Sequence, residues 1–229
     1  MIKLKLNILF FGRQNDEVSK KILINLKKTS NKLVFFLSNN KSNYIPQKFK
    51  KIKKNQFDYL ISYRSYIIFN ENLLKKIKKF SINFHPGPPN YRGTGCVNYA
   101  IFNKEEYYGC TAHIINKKID SGKIIDFRKF KIKKNMSIET ILKKCYKNQY
   151  LQFLKIVSEI KKNNIDNLIK KNKLIKWSGK IGKKKQLDKF YKINPNIKEK
   201  DFNLLLRATK TKKFKPYIKL FNKKFILED

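Results

Sequence analysis

Short apolar runs alternate with amphipathic stretches through the first half of the chain. Residues 6–11 form an apolar run interrupted only by Asn7 and ended by Gly12, which reads as a buried strand. Residues 16–28 follow with Val18, Ile22, Leu23 and Leu26 at helical spacing, so one face of a helix is apolar. The pattern then predicts strands over 33–37, 57–62 and 81–84, a short helix over 70–78, and a basic, weakly patterned segment over 48–54. Such a β-α-β-α rhythm predicts a parallel sheet with helices on both faces.

Residues 86–95, Pro-Gly-Pro-Pro-Asn-Tyr-Arg-Gly-Thr-Gly, break the pattern. Proline lacks the amide proton that a helix interior or a central strand needs. Helical spacing resumes over 97–102, and two more strands are predicted over 110–115 and 124–132, joined by a loop with Asp120-Ser121-Gly122. Ser137 is placed to cap a long helix whose apolar period runs from Ile138 through Cys145 to Ile160. Beyond residue 170 the chain is irregular and basic. A short helix is expected over 201–209 and a terminal hairpin from 217–220 and 224–227, split by Asn222. The fold class is therefore α/β: a Rossmann-like, mostly parallel sheet with helices on both faces over residues 1–165. A short C-terminal α+β extension, 166–229, ends in the hairpin.

Charge complicates this picture. A net charge of +39 points naively to nucleic acid or an anionic membrane. However, only Arg13, Arg64, Arg92, Arg128 and Arg207 are arginines, which leaves 50 of the 55 basic residues to lysine. Abundant Lys, Asn and Ile are what an AT-rich coding sequence favours, so most of the charge reads as compositional. Lysine also suits bidentate recognition of phosphate or bases less well than arginine. No specific nucleic acid is expected as a partner, although an anionic substrate would be drawn to such a surface. No apolar run is long enough to span a membrane, so no membrane partner is expected. Cys96, Cys110 and Cys145 have no C-x-x-C spacing, and an odd, unpatterned count points to a reducing compartment. The expected location is cytoplasmic, and no metal is expected.

Unusual residues collect in one window. It holds both histidines, His85 and His113, five of the eight glycines (87, 93, 95, 109, 122) and three of the six prolines. Asn83 and His85, two apart at a strand end, point to the same side. The proline-rich turn leaves them at the sheet edge where open α/β sheets bind ligands. Asp120, from another loop, can orient an imidazole and stabilise its charged form. An asparagine amide can donate to a developing oxyanion. Together these groups suit acyl transfer to an amine.

The segment Asn83-Phe84-His85-Pro86-Gly87-Pro88-Pro89-Asn90-Tyr91-Arg92-Gly93 is followed by Gly109-Cys110-Thr111-Ala112-His113 and Asp120-Ser121-Gly122-Lys123-Ile124. In order and spacing it resembles the formyltransferase family that uses 10-formyltetrahydrofolate as co-substrate. That family includes methionyl-tRNA, glycinamide ribonucleotide and sugar N-formyltransferases. The resemblance implies a catalytic trio. Asn83 would bind the formyl oxygen, His85 would serve as acid and base, and Asp120 would hold His85. It also places residues 63–69 at the family's pterin-binding loop, making Tyr66, Ile67, Ile68 and Phe69 candidate folate contacts. His113, on the same face as Thr111, would line the folate site or support the trio.

The Pro-Gly-Pro-Pro turn resembles the sugar branch, and 229 residues leave little room for the C-terminal barrel of the tRNA enzymes. The implied acceptor is a dTDP- or GDP-linked aminodideoxy sugar of the kind used in surface polysaccharides such as O-antigen and lipopolysaccharide. A nucleotide diphosphate needs cationic or backbone donors. The candidate substrate contacts are Arg13, Pro88, Tyr91, Arg92 and Gly93. Rival readings are a methionyl-tRNA formyltransferase, which the charge favours, a formyltetrahydrofolate hydrolase, and a basic nucleic-acid-binding protein without catalysis. The terminal hairpin is a candidate surface for homodimer formation.

Overall fold

The structure is a computed structural model that describes residues 6–39, 43–212 and 214–228. In chain order the first elements are β1 (Asn7–Arg13), α1 (Glu17–Thr29), β2 (Lys32–Ser38), a 3-10 turn at Gln47–Lys51, β3 (Phe57–Tyr63), α2 (Glu71–Leu74) and β4 (Ile77–His85). Then come β5 (Arg92–Gly93), α3 (Cys96–Phe102), β6 (Tyr107–Ile114), β7 (Ile124–Lys131), α4 (Ile138–Lys161) and α5 (Ile165–Lys171). The chain closes with β8 (Ile181–Gly182), α6 (Lys184–Phe190), α7 (Glu199–Thr209), β9 (Tyr217–Leu220) and β10 (Lys223–Ile226).

Six strands form one sheet in the order β2-β1-β3-β4-β6-β7. The pairs β1–β2, β1–β3 and β3–β4 are parallel, whereas β4–β6 is antiparallel. Side-chain alternation in β1 explains its apolar run: Ile8 and Phe10 join one core cluster, Leu9 and Phe11 another. A strand buried on both faces is apolar almost throughout. The first face is covered by Ile22 and Leu26 of α1, Phe153 and Ile156 of α4, and Ile165 of α5. The second is covered by short elements only, through Phe49, Ile67, Phe69 and Leu73.

The expected helix over 70–78 is shorter than its spacing predicts. Asn70 caps one turn by accepting from Leu73 N–H at 3.0 Å, and by Ile77 the chain is already paired with Phe57 in the sheet. Burial in β4 overrides local helical propensity, which is worth only tenths of a kcal/mol per residue. The terminal hairpin forms with Phe221 and Asn222 both at positive φ (46° and 60°), the requirement of a tight two-residue turn that matches strand twist.

The chain divides into two compact units. The first comprises Met1–His85, Thr111–Phe127 and Gln149–Lys176; the second comprises Pro86–Cys110, Arg128–Asn148 and Trp177–Asp229. The chain passes between them at 85/86, 110/111, 127/128, 148/149 and 176/177. Within the second unit, Ala208 and Phe190 join Val97, Ile101, Tyr108, Ile141 and Cys145 in one apolar cluster. The C-terminal residues that the sequence sets apart as an extension thus share a core with segments from the middle of the chain.

In the first unit the β1–α1 turn is fixed by one buried carboxylate. Asp16 caps α1 by accepting from Ser19 N–H at 2.8 Å, and its other oxygen meets Arg64 Nη1 at 2.5 Å. The two side chains are 10% and 11% exposed. Removing one partner of such a buried pair typically costs about 3–5 kcal/mol. Arg64→Ala should therefore lower the thermal midpoint by on the order of 10 °C. Thermal denaturation followed by circular dichroism checks this, and a midpoint unchanged within error would show that the pair adds no stability.

Candidate active site

The register of β4 on β6 sets the site. Asn83 lies opposite His113, and His85 opposite Thr111. Residues two apart on a strand share a face, so Asn83, His85, Thr111 and His113 occupy one face of this strand pair. The Asn83 amide Nδ2 lies 3.1 Å from His113 Nε2.

Asp120 arrives from the loop that follows β6. The loop is closed by Ile114 N–H donating to Lys123 O at 2.9 Å and braced by Ser121 Oγ, which donates to Asn116 Oδ1 at 2.7 Å. Asp120 itself sits at φ 42°, a region that side chains with a Cβ seldom occupy and that recurs at functional positions. Gly122 is required for a different reason: a Cβ there would overlap the Ile114 carbonyl oxygen. The doubled-back loop aims one carboxylate at two rings. Asp120 Oδ2 is 3.2 Å from His85 Nδ1, and Asp120 Oδ1 is 3.3 Å from His113 Nε2. All three side chains are buried.

The partners assign the protons. A carboxylate accepts, so His85 carries its proton on Nδ1 and its basic lone pair on Nε2. His113 Nδ1 lies 2.8 Å from the Ile114 carbonyl oxygen, which can only accept, so that nitrogen is protonated too. His113 Nε2 then takes an N–H from Asn83 in the neutral ring and gives one to Asp120 in the charged ring. In the neutral ring one Asn83 N–H is committed to His113, which orients the second.

The sequence-predicted trio is thus brought together, with His113 as a fourth member. Its backbone support includes a group the sequence reading passed over: buried Gln149 of α4 donates Nε2–H to Phe84 O at 2.9 Å, between Asn83 and His85. The available signal was a pair of glutamines, 149 and 152, at core spacing on an apolar helix face. Among the described residues no cluster of three or more His, Cys, Asp or Glu is arranged to hold a metal ion.

The proposed folate loop leaves the sheet beside Asn83, since Ser62 pairs with Asn83 and Tyr63 with Phe84. Within it Ile67 and Phe69 turn into the core, whereas Ile68 is 56% exposed. Tyr66 N–H donates to Ser38 Oγ at 2.9 Å, and the Tyr66 ring lies under the Arg13 guanidinium at 4.3 Å. Arg13, Tyr66 and Ser38 thus gather at the carboxyl ends of β1, β2 and β3.

The remaining candidates lie in the second unit. Pro88 is buried and its carbonyl accepts from Tyr91 N–H at 3.0 Å, closing a turn. Tyr91 donates to Glu105 Oε1 at 2.9 Å and accepts from Asn103 Nδ2 at 2.8 Å. Burial, with Glu105 adding to it and Asn103 opposing it, pushes the Tyr91 hydroxyl up to about 12, so it stays neutral. Arg92 and Gly93 form β5 on the far side of that turn.

Because the chain has only two histidines, the proton positions are open to direct measurement. Imidazole ¹⁵N spectra should show both rings protonated at Nδ1, and Asp120→Asn should perturb both rings together. A change confined to one ring would break the shared-carboxylate arrangement.

A family model described as Formyl transferase matches residues 7–157. The bifunctional polymyxin resistance protein ArnA of Wigglesworthia glossinidia brevipalpis is 30% identical over 159 residues, covering 67% of this chain and 24% of that protein. The chain spans 24% to 39% of the length of the curated relatives it matches, among them methionyl-tRNA formyltransferases and a GDP-perosamine N-formyltransferase. Among solved structures, a 4-N formyltransferase from Francisella tularensis has a TM-score of 0.74 at 21% identity, over 97% of this chain and 96% of that one. The N-formyltransferase from Helicobacter canadensis, in complex with folinic acid and dTDP-3-aminofucose, has a TM-score of 0.64 at 18% identity, over 96% and 86% of the two chains.

Proposed function

The chain belongs to the formyl transferase family, and from that premise we propose that it moves a formyl group from 10-formyltetrahydrofolate to the amine of a nucleotide-linked amino sugar. The observation that carries the reading is the Asp120 carboxylate joined to His85 Nδ1, with Asn83 on the same face of the sheet. His85 Nε2 takes the proton that the attacking amine must lose. Asn83 donates its remaining N–H to the formyl oxygen as negative charge builds there. Asp120 stabilises the imidazolium that forms, and His85 returns the proton to the departing folate nitrogen as its bond to the formyl carbon breaks. His113, in its neutral form, positions Asn83 by accepting from it at Nε2. Folate fits the loop after β3, where exposed Ile68 offers an apolar wall next to the strand that carries Asn83.

Arg13, Pro88, Tyr91, Arg92 and Gly93 are assigned to the acceptor, whose diphosphate calls for the scarce arginines. A dTDP- or GDP-linked aminodideoxy sugar, destined for surface polysaccharide, accords with the ligand of the Helicobacter canadensis enzyme and with the matched GDP-perosamine relative. An odd count of three cysteines, none at C-x-x-C spacing, accords with a reducing, cytoplasmic setting. The hairpin exposes Phe221, Phe225 and Ile226, an apolar surface that suits contact with a second copy.

The test is tetrahydrofolate release with a panel of dTDP- and GDP-amino sugars and charged initiator tRNA. Turnover is expected with a sugar nucleotide; turnover with tRNA alone would overturn the acceptor assignment. Asn83→Ala should lower kcat by about 10²–10³. His85→Ala and Asp120→Ala should abolish transfer while circular dichroism shows the fold retained; near-normal turnover in either would sink the mechanism.

A further inference from the structure

We propose that residues 177–182 form a strap that positions the Tyr91–Arg92 turn for the acceptor, with Gly179 and Gly182 as positioning residues for the transfer. This rests on the reading of Arg92 as an acceptor contact. The strap fastens the turn on both flanks. On one, Ser178 N–H donates to Pro89 O at 3.0 Å; on the other, Thr94 N–H donates to Gly182 O at 2.9 Å. Between these bonds β5 runs parallel to β8, with Arg92 beside Ile181 and Gly93 beside Gly182.

Glycine makes the crossing possible. A Cβ on Gly182 would overlap the Thr94 carbonyl oxygen, one on Gly93 would overlap the Gly182 carbonyl oxygen, and one on Gly179 would lie 2.5 Å from the Asn90 carbonyl oxygen. Gly93 and Gly179 also hold φ of 75° and 71°. Three of only eight glycines in the chain meet at this one place, where backbone has to lie on backbone.

Core packing does not account for the crossing. Ser178, Gly179 and Lys180 are exposed, and Trp177, Ile181 and Gly182 are half-buried. Anchoring comes from the next element, where Leu187 of α6 sits against Gly95, and Phe190 packs on Tyr99 and Phe102 with ring centroids 5.2 and 5.0 Å away. A strap with no fully buried residue, gripping a half-exposed turn through backbone atoms, adds little to the apolar core. What it removes is the freedom of the turn. A turn already held in place loses less entropy when it takes a ligand, so the strap acts on acceptor affinity and leaves folate affinity alone.

The test uses Gly182→Ala, which forces the β5–β8 ladder apart, and Ser178→Pro, which deletes the N–H given to Pro89 without adding bulk at the ladder. Three quantities are measured for each: hydrogen exchange of the Thr94 amide, KM and kcat for a dTDP-linked amino sugar, and affinity for tetrahydrofolate. Exchange should accelerate, KM should rise about tenfold, and kcat and tetrahydrofolate affinity should stay within about twofold. Faster exchange with an unchanged KM would overturn the proposal, as would KM and folate affinity worsening together in both variants. Arg92→Ala, run in parallel, separates the two readings. An unchanged KM there defeats the assignment of Arg92, whereas a raised KM there with a normal KM in the strap variants defeats the strap alone. If Gly182→Ala does not fold, Ser178→Pro carries the test.

Discussion

A single buried carboxylate, that of Asp120, lies between two imidazoles at 3.2 and 3.3 Å. Burying an ionised carboxylate costs several kcal/mol unless it is paired and hydrogen-bonded, so the surrounding backbone has to deliver both rings accurately. His85 arrives at the end of a parallel strand and His113 on the antiparallel strand beside it, in a register that sets Asn83 directly opposite His113. Slipping β6 by one residue would turn His113 to the other face, away from Asn83 and Asp120. The register of β6 on β4 is therefore bound to the chemistry of the site.

The same constraint reaches the loop after β6. Asp120 can face two rings only because its backbone takes a positive φ and because Gly122 lets the chain lie against Ile114. Within the loop, Asn116 Oδ1 accepts from Ser121 Oγ and from Lys118 N–H, which braces that form. Local strain of this kind persists where surrounding structure over-determines it.

Much of this was legible in the sequence, for identifiable reasons. The strands β1 and β3 announce themselves because burial on both faces makes them apolar nearly throughout. Asn83, His85 and Asp120 stood out because histidine is so rare in the chain and because the motif around them resembles a known family. The second strand of the site was placed, but not its direction, since apolar periodicity is the same for parallel and antiparallel pairing. The helix expected over 70–78 shrank to one turn because Ile77 is better buried as a strand residue. Gln149 escaped notice because its role is to satisfy a backbone carbonyl, and nothing in local spacing reveals which carbonyl lacks a partner. The Trp177–Gly182 crossing likewise depends on backbone meeting backbone across 89 residues, from Gly93 to Gly182, a separation over which no pattern carries.

The interleaving of the two compact units constrains how such a protein can change. Because the chain crosses between them five times, at 85/86, 110/111, 127/128, 148/149 and 176/177, neither unit corresponds to a contiguous stretch of gene. Recombination, which exchanges contiguous blocks, cannot replace one and spare the other. Nor can a single proteolytic cut release either intact. Diversification of the parts outside the histidine-bearing unit must then proceed by point replacement and by loops lengthening in place, within segments whose two ends are fixed by the other unit's sequence.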